Sequence, residues 1–456
     1  MAASEPTTGQ TVSSTDDAMR SDRGSLNPVA PSTSATGVAD VSEPLSHRKS
    51  GASRLLGRTF ESLSIRDYRL LWLSMMTGMS GTQMQMLARG ILVYEITGSY
   101  ALTGIVSVGF APALLIGSVL SGTITERIER RAIIQATQFG QVGIAMAIGL
   151  LILTDLIIWQ YILVASILQG AVFAFMMPAR QVVIPKIVGK ELMSNAMSLN
   201  SAAMSVTSMV APAVGGVLYG VIGSEGVYFL VAGLNVAAIG LTSLLPKFPP
   251  DPNVPRRSII SNTAEGFAYV RRHRTLMSVI IFVALGTILS MPFRMLIPAI
   301  SSDIFDASSF KTGVLVAVMG IGSLIGALAI AALREGQKRG LVLMASAFVS
   351  AFGLVVFASL PIYWVGIIVM IFMGIGESGR FALGQALSME LTDDEHRARV
   401  ASLFQMTFGL MPLGILPVSL AMELYGAEKT LFVLALILFA VSVMSVAMMK
   451  QLRKLG

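Results

Sequence analysis

The stretch Ile116–Ile134, reading IGSVLSGTITERIERRAII, limits what this chain can become. An apolar run ends in it, the patch Gly122-x-x-x-Glu126-Arg127-x-x-Arg130-Arg131 follows, and a second apolar run starts at once. Each flanking run is long enough to cross a bilayer, whose hydrocarbon core of about 30 Å takes about 20 residues of helix. The charged patch is then a tight turn between two membrane helices.

A related stretch returns later. Moved by 209 positions, Thr103, Gly104, Leu115, Ile116, Gly117, Glu126 and Arg130 fall on Thr312, Gly313, Leu324, Ile325, Gly326, Glu335 and Arg339. Apolar identities arise easily in such sequence; the charged pair Glu126/Arg130 on Glu335/Arg339 does not. The chain reads as two halves, each with one such turn after its second helix.

Composition agrees. The chain is 54% hydrophobic and 13% charged, with a mean hydropathy of +0.73. A soluble domain carries about 25% charged residues. The net charge of +7 raises the question of nucleic-acid binding, but the basic residues sit in short turns between apolar runs, so no nucleic-acid partner is expected. There is no Cys, which excludes disulfides and thiolate metal sites. His47, His273 and His396 are scattered, and no phosphate-binding Gly-rich loop ending in Lys occurs. No cofactor, metal or enzymatic activity is expected, because the intramembrane polar residues form no nucleophile–base set.

Residues 1–53 are rich in Ser, Thr, Ala, Pro and Asp without apolar periodicity. They are expected to be a disordered tail. No signal-peptide core is present, and Asp16, Asp17 and Glu43 argue against a transit peptide. From Tyr68 twelve apolar spans follow: 68–94, 101–124, 132–154, 157–179, 196–222, 226–246, 275–301, 312–333, 341–360, 362–386, 399–425 and 429–449. They are long and do not alternate, so they predict helices rather than barrel strands. The expectation is an all-α membrane protein of twelve transmembrane helices in two pseudo-symmetric six-helix bundles, 54–246 and 275–456, joined by 247–274.

With the N-terminus inside, the inner turns carry Arg54, Arg58, Arg66, Arg69, Arg127, Arg130, Arg131, Arg180, Lys186, Lys190, Lys247, Arg256, Arg257, Arg271, Arg272, Arg274, Arg334, Lys338, Arg339, Arg380, Arg397, Arg399, Lys450, Arg453 and Lys454. The outer turns carry Lys311 and Lys429. This positive-inside pattern predicts a multi-pass protein of the cell membrane with both termini cytoplasmic. In the joining segment, Pro246, Pro249, Pro250, Pro252 and Pro255 cannot continue a helix. Asn262-x-x-Glu265 then reads as a cap, and Phe267, Tyr269 and Val270 before Arg271, Arg272 and Arg274 predict a short helix on the inner membrane surface.

Two six-helix halves, a central inner loop and the Gly122–Arg131 pattern resemble the major facilitator superfamily of secondary transporters, over about residues 60–450. That family's loop 2–3 signature usually has Asp where this chain has Glu126, and often Gly where it has Glu129. Thr207-x-x-x-Ala211-Pro212-x-x-Gly215-Gly216 is similar to the antiporter motif of the family's exporters, with Thr207 and Ala211 in place of glycines. Three further stretches look like the branch that includes the enterobactin exporter and macrolide-efflux proteins. They are Phe60-x-Ser62-Leu63-x-x-Arg66-Asp67-Tyr68-Arg69-Leu70-Leu71-Trp72, Leu92-x-Tyr94-x-x-Thr97-Gly98-Ser99, and Pro178-Ala179-Arg180.

The resemblance implies a gate at the inner turns, formed by Gly122, Glu126, Arg127, Arg130, Arg131, Arg180, Glu335 and Arg339. Glu126 is expected to meet the inner end of helix eleven near Arg397–Val400. Arg127, Arg130 or Arg131 is expected to meet helix four or lipid headgroups. A purely topogenic basic turn is the plainer alternative. The resemblance also places helices one, four, seven and ten around the central path. Arg89 and Arg294 then bracket the cavity and attract anionic or polar groups, unless they snorkel to headgroups. Gln85 with Arg89, and Ser290 with Arg294, are spaced i, i+4 and share a face. Gln83 and Gln169 are further polar candidates.

Glu377 is the proton-coupling candidate, since a buried carboxyl can load and release a proton; an i, i+3 pair with Arg380 is the structural alternative. Met75, Met76, Met79, Met84 and Met86 suit an adaptable pocket or plain filling. Pro212, Gly215 and Gly216 suit a pivot or close packing. A secondary exporter of small amphiphilic molecules is the first expectation, working as a monomer with protons as the candidate coupling ion. An uptake porter is the second, and a non-transporting membrane sensor the third.

Overall fold

The computed structural model describes residues 60–189, 191–249, 259–331, 338–393, 396–449 and 452. The expected tail, 1–53, and Glu335 lie outside the described residues. Every regular element among the described residues is helical. Long apolar runs dictate this, because a chain in hydrocarbon must pair each backbone N–H and C=O internally, and a helix does so within one segment.

The helices are α1 (Arg66–Thr97), α2 (Tyr100–Val108), α3 (Phe110–Arg127), α4 (Arg130–Leu153), α5 (Trp159–Val188), α6 (Met193–Ser243) and α7 (Ile259–Arg272). They continue as α8 (Arg274–Phe305), α9 (Ser309–Ala331), α10 (Arg339–Ser359), α11 (Tyr363–Glu390), α12 (Arg397–Met406), α13 (Met411–Tyr425) and α14 (Ala427–Met448). Nine helical stretches among the described residues are long and apolar enough to cross a membrane. The more polar α1 and the 15-residue α13 are outside the nine.

Two expected spans differ in detail. Residues 101–124 divide into α2 and α3, because Pro112 offers no N–H to the carbonyl one turn earlier. Residues 399–425 divide into α12 and α13 around a tight turn, Thr407–Leu410, with Pro412 just beyond it. The expected spans 196–222 and 226–246 are the two helical limbs of α6, which breaks between them at Gly223 (φ 75°, ψ 173°). Only glycine takes that conformation freely. A straight α6 would be about 77 Å long, more than twice the bilayer core, so the break lets the helix fit.

The buried apolar side chains group by stretch of chain. Leu87, Ile91, Ala145, Ile148 and Tyr228 form one core, and Tyr68, Ile134, Val183 and Leu245 another. Phe293, Leu296, Leu354, Met370 and Leu431 form a third, into which Tyr100 of α2 reaches. Val279, Leu343, Leu383 and Leu452 form a fourth. Glycines let helices from the two stretches approach. A Cβ on Gly216 of α6 would lie 2.6 Å from the Gly313 Cα of α9, and a Cβ on Gly104 of α2 would collide with Ser419 of α13.

The helix expected after the prolines is α7, described over Ile259–Arg272, so Asn262 lies within the helix and not at its cap. The last proline is Pro255, and nothing after it blocks the earlier start. It docks on α12. Glu265 pairs with Arg399 at 3.0 Å. The Tyr269 ring stacks on His396 at 4.2 Å, and its hydroxyl donates to Asp393 at 2.9 Å.

Candidate functional site

A cavity opens between α6, α8, α9 and α11. Its volume is about 210 Å³, below the few-hundred-to-thousand Å³ range of sites that enclose a drug-sized ligand. Helical spacing builds each wall. Thr287, Met291 and Arg294 share a face of α8; Val316, Met319, Gly320 and Ser323 share a face of α9. Glu377, Ser378, Arg380 and Phe381 come from α11, and Ser208 from α6.

Three charges stand in this wall. Arg294 Nη1 donates to Glu377 Oε1 at 3.3 Å, with the Arg294 side chain 34% exposed and Glu377 11%. Arg380 is buried, and no hydrogen bond reaches it among the described residues. Glu377 thus makes its ion pair across helices, while its charge also acts on Arg380 three residues on. The Arg380 guanidinium runs toward Gly286 of α8, where a Cβ would lie 2.6 Å from its Nε. Ser290, one turn before Arg294, is buried with its Oγ unpartnered.

Arg89 does not face Arg294 across this cavity. It is buried among α1, α2 and α5, where Nη1 donates to Ser166 Oγ at 3.0 Å and to Gln169 Oε1 at 2.8 Å. Gln169 Nε2 donates to Gln85 Oε1 at 2.9 Å, and Ser166 Oγ to the Val106 carbonyl at 2.8 Å. These neutral acceptors are close enough to hold the cation, so it neither snorkels nor lines the wall. Gln83 is half-buried and outside the wall as well. Met75, Met79 and Met84 are core residues, while Met291 and Met319 line the cavity.

At the Tyr100 end the two stretches of chain are tied together. The Glu423 carboxylate of α13 accepts from the backbone N–H of Tyr100 at 2.7 Å and of Ala101 at 3.3 Å, and from Ser99 Oγ at 3.1 Å. It sits on the N-terminus of α2, where a negative charge is favoured. Tyr100 Oη donates to Asp303 Oδ2 at 2.9 Å. The sequence pattern did not single out Tyr100, Asp303, Glu423, Ser208, Thr287 or Gly286.

Of the expected gate, α3 carries Gly122, Glu126 and Arg127, whose side chains lie outside the described residues. Arg130 is bonded to the chain after α6. Its backbone N–H donates to the Phe248 carbonyl at 3.2 Å and its Nη1 to the Pro249 carbonyl at 2.6 Å. Arg131 Nη1 donates to the Leu245 carbonyl. These carbonyls lie in the non-helical segment after α6, and the arginines supply their donors. Arg339 pairs with Glu390 at 2.8 Å. Arg180 is 4% exposed, and its Nε, Nη1 and Nη2 all lack a partner. In α6, Gly215 faces Met84, and Pro212 and Gly216 face Gly313.

Residues 58–455 match the family described as transmembrane secretion effector. The chain belongs to that family. It is a branch of the major facilitator superfamily, whose members are transporters and not enzymes. Among similar proteins of the family is macrolide efflux protein A of Streptococcus pyogenes, 25% identical over 374 residues, covering 79% of this chain and 90% of that protein. Another is the enterobactin exporter EntS of Shigella boydii, 27% identical over 267 residues, covering 58% of this chain and 62% of that protein. The fold is similar to that of the nucleoside transporter NupG, with TM-score 0.67 at 15% identity over 85% of this chain and 99% of that one. It is also similar to a bacterial homolog of the human lysosomal transporter Spinster in an inward-facing and occupied conformation, with TM-score 0.67 at 12% identity over 84% of this chain and 97% of that one. At these identities the likeness to solved structures concerns the fold alone.

Proposed function

We propose that this membrane transporter exports small amphiphilic molecules by alternating access of the cavity between α6, α8, α9 and α11. The observation that carries the reading is the charged trio Arg294, Glu377 and Arg380 in a cavity wall shared by α6 and the later helices. A charge in hydrocarbon is costly and normally serves a cavity, a partner or a path. In this reading the chain makes twelve crossings in two pseudo-symmetric six-helix halves, 54–246 and 275–456, with 247–274 between them and both termini cytoplasmic. The separate cores before and after residue 250 and the positive-inside pattern support it. The Tyr100 end is then outer and closed, so the cavity faces the cytoplasm. Glu377 carries the coupling proton, alternating between Arg294 and a protonated form. The relatives' names favour export over uptake.

The test is accumulation of fluorescent amphiphilic compounds in cells lacking their own pumps, with and without this protein and with and without a protonophore. The expected result is lower accumulation that the protonophore and Glu377→Gln each abolish. Raised accumulation would sink export. Lower accumulation insensitive to both would sink the role of Glu377.

A further inference from the structure

Glu377 pairs with Arg294 and its charge also acts on Arg380, so the cavity wall holds two guanidiniums for one carboxylate. Arg380 is 3% exposed, borders the cavity, and has a sealed Nη1 without a partner. Its place is built into the fold. A Cβ at Gly286 would lie 2.6 Å from Arg380 Nε and 2.7 Å from Cδ, so α8 makes room by having no side chain there. Two arginines against one glutamate leave the wall at +1. Around them stand the hydroxyls of Ser208 and Thr287 and the apolar surfaces of Met319 and Phe381.

We propose that the transported molecule is an amphiphile bearing one anionic group, a carboxylate or an anion of like geometry, which seats on Arg380. Its apolar body then lies against Met319 and Phe381. This rests on the cavity being the substrate site. The planar fork of an arginine matches a carboxylate in a way that a point charge does not. A bound anion supplies the hydrogen-bond partner that Arg380 Nη1 lacks, and a cationic amphiphile meets a wall of its own sign. An anionic lipid headgroup shares this chemistry, so the experiment must separate the two sources.

The experiment uses the purified full chain in nanodiscs of phosphatidylcholine alone. Three probes on one scaffold are titrated: pyrenebutyrate, its primary amide, and pyrenebutylamine. The expected result is that pyrenebutyrate binds about tenfold or more tighter than the other two. Arg380→Gln should erase that preference and leave the amide unchanged, while Arg380→Lys keeps part of it. Equal binding of the three probes, tighter binding of the amine, no binding of any probe, or an equal loss for all three in Arg380→Gln would each overturn the proposal. Ser208→Trp separates it from the cavity reading. If that variant blocks every probe but charge makes no difference, the anion proposal alone fails. If it changes nothing, the cavity reading fails too. Displacement of pyrenebutyrate by added phosphatidylglycerol, with that lipid retained on purification, would assign Arg380 to a headgroup and overturn the transported anion.

Discussion

Arg294 and Glu377 meet at 3.3 Å across α8 and α11, while Arg380, three residues beyond Glu377, is left without a hydrogen bond. One carboxylate therefore serves two cations, and the two ends of the pair are not equivalent. Removing Arg294 leaves Glu377 next to Arg380. Removing Glu377 leaves two cations with no acid. Glu377→Ala should therefore cost about 1 kcal/mol or more beyond Arg294→Ala in thermal unfolding. A double-mutant cycle should return a coupling of about 1 kcal/mol. Equal losses from the two single variants would mean that Arg380 does not sense Glu377.

At the Tyr100 end Glu423 holds the two stretches of chain together through the backbone of α2. Glu423→Gln keeps the shape and removes the charge. A charge at a helix N-terminus stabilises by up to about 1 kcal/mol, so populations should shift about fivefold toward opening at that end. The chain has no Cys, so a single cysteine at Ser323 in the cavity wall reports access cleanly. Its labelling by an impermeant maleimide from outside intact cells should rise about severalfold in Glu423→Gln. Unchanged labelling would remove Glu423 from the closure.

The apolar runs made the helices legible, because about 20 apolar residues have few other stable forms in a bilayer. Even so, the run 101–124 did not reveal its break before Pro112, nor did α6 reveal that Gly223 alone would carry the turn. The site was harder to read. Glu377, Arg294 and Arg380 were visible as intramembrane charges, but their pairing depends on how each helix is rotated. A helix that is apolar nearly all round carries little pattern to fix that rotation. Arg89 illustrates the consequence. Its acceptors Ser166 and Gln169 lie on α5, and no spacing within α1 points to them. Gly286 was invisible for another reason: its part is to leave space.

Close packing between α2 and α13 predicts a suppressor pair. A Cβ on Gly104 collides with Ser419, so Gly104→Ala should hold that seam apart. Overpacking of this kind costs about 1–3 kcal/mol. Transport should fall severalfold and outside labelling at the Ser323 position should rise. Ser419→Gly in the same chain should restore both. If the second change restores nothing, the contact is not what Gly104 protects.

Arg180 predicts a gain of stability. Its guanidinium is nine-tenths buried beside Gly78 and Asn235, with all three nitrogens unpartnered, while Met176 lies one turn away in a methionine-rich core. Nothing among the described side chains compensates the charge. Methionine has a similar length and no charge, and a buried charge without a partner is costly. Arg180→Met should therefore raise the melting temperature of the purified protein. If Arg180 acts in gating, transport should fall in the same variant, since a strained functional residue is commonly kept at the expense of stability. A lower melting temperature would mean that the native guanidinium has a partner, such as water or a bound anion, whose loss outweighs the relief of the buried charge.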